Sequence, residues 1–329
     1  MNWEPIKQLQ QRFKLDAPVV TAPFALPTLV VEIQPEFVAG LRLAGKANGA
    51  TQRLRNIGVT GLSPNTVVPA VNGPNIADTA DLERALKATA RPVANGAARF
   101  GLLFPDGAAR VSVLSFETLP ESSKQAHALM RWKMKETLPY PLEEARISYQ
   151  VMVRDAERIE VLAVAAKASV LAEYERALEK VYGRPALVLP ATLALLPLLP
   201  STEGLGQLLI HLCSGSITSA VTAGSRLRLW RTRQLGRPDW SELCRQAVAE
   251  SARVVASCRD HLRVEISQIW LCARPQGGPG FCAELSQALA HPVELLEPDP
   301  DFGAALTGED HNLFESFGAP AAGLIVNTL

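Results

Sequence analysis

The chain has 329 residues, with 33 Lys+Arg against 33 Asp+Glu, and 47% of its residues are hydrophobic. That length supports two domains or one large bilobed body with a substantial core, and the balanced charge gives no reason to expect nucleic acid as a partner. The 5 cysteines are widely spaced without a CxxC pair and the 5 histidines are scattered, so no zinc-site spacing is present and the thiols fit a reducing cytosol.

Residues 1–16 carry Glu4, Lys7, Arg12 and Lys14 with no continuous apolar run, unlike a signal peptide. Residues 1–27 read as a prefix: a helix-like run through Ile6, Leu9, Gln10 and Phe13, then Pro18, Pro23 and Pro27, whose density favours an extended arm. Residues 29–43 read as two strands with a tight turn near Gln34-Pro35, residues 44–64 as a basic Gly-rich loop or frayed hairpin, and residues 67–71 as another strand. A helix is predicted over 78–89, because Asp78 can cap it and Leu82, Ala85, Leu86 and Thr89 share one face. Residues 100–104 and 109–116 are apolar strands joined by the turn Pro105-Asp106-Gly107.

Ser122 or Ser123 can cap the next helix, which holds Met130, Trp132 and Met134 and ends on Leu-Pro-Tyr-Pro-Leu. Pro139 and Pro141 fix the chain there, and Pro139 lacks a helical N–H. Ile147, Tyr149 and Val151 then alternate with Ser148 and Gln150 as a half-buried strand. Residues 158–166 are a strand, 168–182 an amphipathic helix ending at Gly183, and 187–189 a strand, which is an α/β rhythm. The apolar stretch 186–199 is too short for a bilayer, which takes about 20 residues, and Pro190 and Pro197 interrupt it. A soluble protein is expected, with any membrane association made through a partner.

The pattern restarts near residue 206. Strands are predicted at 208–212, 217–222 and 226–230, the last two joined by Ala223-Gly224-Ser225; a helix follows at 240–258, then a strand at 268–273 and a glycine loop at 276–280. A helix at 281–289, a strand at 293–295 and a small-residue helix at 318–326 close the chain. Asp299, Asp301, Glu309 and Asp310 read as a Pro/Gly-rich loop without calcium-loop spacing. Arg226, Arg228, Arg231, Arg233 and Arg237 read either as a solvated strand face or as a contact for anionic headgroups or an acidic tail.

The block at 130–151 resembles the type IV pilus assembly protein PilM family, in which a helix rich in Arg, Trp, Glu and Lys ends on an LPYPL-type turn before an acidic pair and a Tyr-Gln-Val strand. The matching residues are Arg131, Trp132, Leu138, Pro139, Tyr140, Pro141, Leu142, Glu143, Glu144, Tyr149, Gln150 and Val151. The resemblance implies an actin-like (ribonuclease H-like) α/β fold: two lobes, each with a mixed sheet flanked by helices, enclosing a nucleotide cleft. The expected division is an arm over 1–27, a first lobe over 28–205 with an inserted subdomain at about 67–166, and a second lobe over 206–329.

Such a cleft needs hairpin turns with free backbone N–H groups for phosphate, a carboxylate for Mg²⁺ and a Gly-rich loop near the base. The first hairpin matches at Val31-Glu32-Ile33-Gln34-Pro35-Glu36, where Glu32 keeps a carboxylate, Gln34 and Pro35 replace Gly and Ser, and Glu36 adds negative charge. The second matches at His211-Leu212-Cys213-Ser214-Gly215-Ser216, with His211 where an Asp is expected. Gly277, Gly278 and Gly280 match the loop. Two readings stay open: the cleft takes ATP or ADP with Mg, or it takes none; hydrolysis is expected weak or absent.

The function this resemblance implies is a cytoplasmic scaffold of the pilus assembly platform, peripheral to the inner membrane. It binds the N-terminal cytoplasmic peptide of a PilN-like membrane protein and connects to the motor ATPases. The alternatives are an active actin-like ATPase that switches partner binding, and a cytoplasmic component of a type II secretion platform; the lack of a following transmembrane helix favours the pilus reading.

Overall fold

The computed structural model describes residues 27–44, 53–94, 99–155, 157–202, 204–224, 226–236, 239–275 and 279–326. The arm expected over 1–27 falls outside them apart from Pro27, as do Ser225, Arg237, Gly277 and Gly278.

Two five-stranded sheets repeat one plan. In the first, β1 (Leu29–Ile33), β2 (Phe37–Leu43) and β3 (Leu54–Gly61) form an antiparallel meander. The chain then crosses through helix α1 (Thr79–Val93) to β4 (Phe100–Phe104), which lies parallel on the other side of β1 and carries β8 (Leu187–Pro190). The second sheet repeats this with the meander β9 (Gly206–Cys213), β10 (Ser216–Ala223) and β11 (Arg226–Gln234), then β12 (Ile266–Arg274) and β13 (Val293–Leu295). Strands covered on both faces need continuous apolar runs, and LVVEI in β1, FGLLF in β4 and GQLLIHLC in β9 are such runs. Glu32 and His211 are buried polar interruptions of them.

Between β4 and β8 sits a third sheet of order β5-β7-β6, made of β5 (Ala109–Phe116), β6 (Ala145–Arg154) and β7 (Ile159–Lys167). Helix α2 (Ser123–Met134) covers it with Met130 and Met134, both fully buried, and leaves Trp132 64% exposed. Arg131 donates to the carbonyls of Leu142 at 2.8 Å and Ala145 at 3.2 Å, tying α2 to the proline turn. Ser122 takes the N-cap position without a side-chain bond. Helix α3 (Ala168–Glu179) and the short helix α4 (Ala191–Leu195) frame β8.

The crossover of the second sheet is α5 (Trp240–Ser257), and α6 (Pro279–Leu289) precedes β13. Three expectations are corrected. Residues 67–71 form only one bridge, Val67 to Ile76, because the Asn75 side chain takes the Ala70 N–H and the Ala70 and Gly73 carbonyls. The region read as a loop or frayed hairpin contains the regular strand β3, anchored by buried Leu54 and Ile57. The loop read over 299–310 holds α7 (Pro300–Gly303) and the start of α8 (Glu309–Phe317); Asp299 caps the first by accepting from Asp301 N at 2.9 Å.

Phe302 and Phe314 from these helices, and Ala321, Ala322 and Leu324 from the final helix α9 (Ala319–Val326), pack with Val30, Phe37 and Leu41. The C-terminal helices, read from the sequence with the second lobe, therefore close over the first sheet.

Candidate functional site

The buried polar groups of the two sheets meet in one cluster. Glu32 comes from β1, Asp106 from the short 3-10 turn after β4, Thr192 from α4, His211 from β9, Thr218 from β10 and Arg274 from the end of β12. All six are at most 5% exposed. Registry brings the second-sheet members together, since β9 pairs His211 with Thr218 on one side and Cys272 on the other, and Cys213 with Arg274.

Arg274 binds Glu32 through both forks of its guanidinium, Nη1 to Oε2 at 2.9 Å and Nη2 to Oε1 at 2.7 Å. Gln34 Nε2 donates to the same Oε1 at 2.8 Å, and Arg274 Nη1 reaches the Phe317 carbonyl at 3.3 Å. Burial alone would lower the Arg274 pKa, but the Glu32 carboxylate more than offsets this and the pKa is raised.

Arg274 Nη2 also lies 3.1 Å from His211 Nε2. A guanidinium has only donors, so Nε2 accepts and His211 is neutral with its proton on Nδ1. Nδ1 sits 2.5 Å from Thr192 Oγ1, and the Thr192 hydroxyl donates onward to Asp106 Oδ2. Asp106 further accepts from Thr192 N at 3.0 Å and Thr218 Oγ1 at 2.9 Å. Burial lowers the His211 pKa, and the Arg274 charge adds to that against the opposing pull of Asp106. Burial would raise Asp106, but the nearby His211, with Nδ1 3.5 Å from Oδ2, and the bonds from Thr192 overcome it, so its pKa is lowered. A chain of hydrogen bonds thus runs from Glu32 through Arg274, His211 and Thr192 to Asp106 and joins the two sheets.

The residues expected at a nucleotide cleft separate. Glu32 and Gln34 are in the cluster. Glu36 is exposed and uses its carbonyl to accept from Leu62 N at 2.9 Å. Ser214 and Gly215 form the tight β9–β10 turn with φ of 48° and 76°, and Ser216 Oγ closes it on the Cys213 carbonyl at 2.9 Å. Gly280 is exposed in the first turn of α6, and Gly277 and Gly278 lie outside the described residues. Sequence reasoning missed Asp106, Thr192, Thr218 and Arg274. The readable signal for Arg274 was a charged residue directly after the apolar strand ending WLCA.

No family model and no curated protein matches the chain. Among solved structures, it is similar to one described as the PilM-PilN type IV pilus biogenesis complex, at 14% identity over 92% of this chain and 98% of that one, with a TM-score of 0.74. A protein from Bacteroides thetaiotaomicron with an actin-like ATPase fold and unknown function matches at 8% identity over 85% of this chain and 93% of that one, TM-score 0.50. The cytoplasmic domain of EpsL, from the type II secretion system of Vibrio cholerae, follows at 12% identity over 80% and 94%, TM-score 0.45. The fold is therefore the actin-like ATPase fold. The likeness to PilM runs through nearly the full length of both chains, in line with the resemblance carried by residues 130–151.

Proposed function

We propose that the protein is a scaffold of a type IV pilus assembly platform. It holds the N-terminal cytoplasmic peptide of a PilN-like inner-membrane protein, lies against the inner membrane through that partner, and connects to the motor ATPases. It does so without nucleotide, because an internal ion pair has replaced the nucleotide in the cleft.

The observation that carries this reading is the two-pronged bond between Arg274 and Glu32. A Mg-bound phosphate needs free carboxylate oxygens for the ion or its waters and free backbone N–H groups for the phosphate. Here both Glu32 oxygens are engaged, Gln34 points its amide at Glu32, and Pro35 has no N–H to offer. This donor set does not fit a Mg-nucleotide, and no step of the function is routed through one. The guanidinium supplies internally the positive charge that a metal would bring to the carboxylate.

The partner half of the reading is supported by the likeness to a structure described as a PilM-PilN complex. Within the chain, the inserted sheet is the place to seek the contact. The Tyr140 hydroxyl, in the proline turn, is buried without a hydrogen-bond partner, and Trp132 projects from α2. An extended peptide lying between subdomains would combine backbone pairing with side-chain pockets.

Fluorescence anisotropy with a labelled N-terminal peptide of the PilN-like partner tests the proposal. Saturable binding, absent with a scrambled peptide, is the expected result; equal or no binding of the two peptides would sink the partner assignment.

A further inference from the structure

A second charged cluster lies apart from the cleft, on β11 at the edge of the second sheet, two strands away from β9. Arg231 and Arg233 alternate along β11 and so share a face. That face meets α5, where Glu250 and Arg253 stand one turn apart. Glu250 is 1% exposed and is ion-paired with three guanidinium groups: Arg233 Nη1 at 2.7 Å and Arg253 Nη1 at 3.1 Å donate hydrogen bonds to Oε2, and Arg231 Nε lies 2.5 Å from Oε1 as an ion pair without hydrogen-bond geometry. Burial would raise the Glu250 pKa, but the three cations overcome it and hold the carboxyl below its usual range.

One buried carboxylate needs one cation for neutrality. Three leave a formal excess of two positive charges, on side chains that are 54%, 48% and 58% exposed. Each arginine meets Glu250 through a single nitrogen, and about half of each side chain faces solvent. Glu250 thus fixes three cations around one point, and ordering such long side chains is otherwise a large part of the cost of binding an anion. Guanidinium forks match phosphate oxygens, and an excess of two charges suits a multiply charged phosphate or a phosphate-rich surface.

We propose that Arg231, Arg233 and Arg253, positioned by Glu250, form a binding site for a phosphate group. The group is carried either by a soluble phosphoanion or by the headgroup of an anionic lipid, and the site is independent of the cleft.

The test uses the full chain in a low-salt buffer free of phosphate, because exposed charges are screened by salt. Pyrophosphate is titrated by calorimetry, and co-sedimentation is measured with phosphatidylglycerol vesicles against phosphatidylcholine vesicles. The variants are Arg253→Gln and the double variant Arg231→Gln/Arg253→Gln, which leaves Arg233 to compensate Glu250. A control of equal charge change, Arg184→Gln/Arg259→Gln, removes arginines that are 84% and 80% exposed and pair with Glu179 and Asp260 instead of Glu250.

The expected result is binding by the wild type, weakened about tenfold or more by the double variant, less by the single one, and unchanged in the control. Saturable pyrophosphate binding with this pattern assigns a soluble phosphoanion; binding to phosphatidylglycerol vesicles alone assigns a lipid headgroup. No binding to either probe overturns the proposal, as does equal weakening in the control, which would mean diffuse charge attraction.

Discussion

His211 is the residue through which the buried cluster senses pH. Its folded-state pKa is lowered, so the folded chain keeps a neutral imidazole while the unfolded chain takes up a proton near pH 6.5. Below that value the unfolded state binds more protons, and stability falls as the pH falls. One such proton gives a slope of at most about 1.4 kcal/mol per pH unit. Urea unfolding between pH 7.5 and 5 should show this loss, and His211→Gln, which keeps an acceptor for Arg274, should flatten it. An unchanged slope would mean that other groups carry the effect. Asp106 adds a further loss only below about pH 3.8, because its folded pKa is also lowered.

Arg274 and Glu32 give a sharper prediction at the same scale. Removing one member of a buried pair leaves an uncompensated charge, so Arg274→Met should cost about 3–5 kcal/mol in denaturant unfolding. The double variant Arg274→Met/Glu32→Gln should recover much of that loss, and additive losses would contradict the pairing. Glu32 and His211 were legible in the sequence as the positions that match the two hairpins of the family the chain resembles. The pairing of Arg274 with Glu32 was not, since the two lie 242 residues apart and no local pattern links them. Asp106 was hidden because Pro-Asp-Gly is also a common turn sequence, and the turn it forms is real.

Among the elements, those with a strong local signal were legible. The helix from Thr79 announced itself through Asp78, whose carboxylate accepts from Asp81 N at 3.0 Å, and through its apolar face. Residues 299–310 were misread because proline and glycine there mark helix boundaries, while burial against the first sheet holds the helices in place. Such burial is decided by distant residues, so composition alone pointed to a loop. Gly323 shows how close that packing is: a Cβ added there would lie 2.0 Å from the Ala194 carbonyl oxygen. Gly323→Ala should therefore force α9 away from α4 and destabilise the chain by about 1–3 kcal/mol, visible as a lower urea midpoint. A neutral effect would mean that this helix contact is loose.

For the whole molecule, the repeated plan of meander, crossover and parallel strand was readable in outline, and the block at 130–151 pointed to the same fold. What the sequence could not convey is that polar groups of the two sheets bond to one another across the space between them. Glu32 and Arg274 join the first strand of one sheet to the last residue of a central strand in the other, so the cleft is bridged by the chain itself. Under the proposed function, partner binding does not depend on nucleotide. The direct measurement is calorimetric titration of the PilN-like N-terminal peptide into the purified protein, with and without Mg-ATP. The same affinity and enthalpy are expected in both conditions. Binding that appears only with Mg-ATP, or tightens markedly in its presence, would contradict the proposed function and show that nucleotide can displace Arg274 from Glu32.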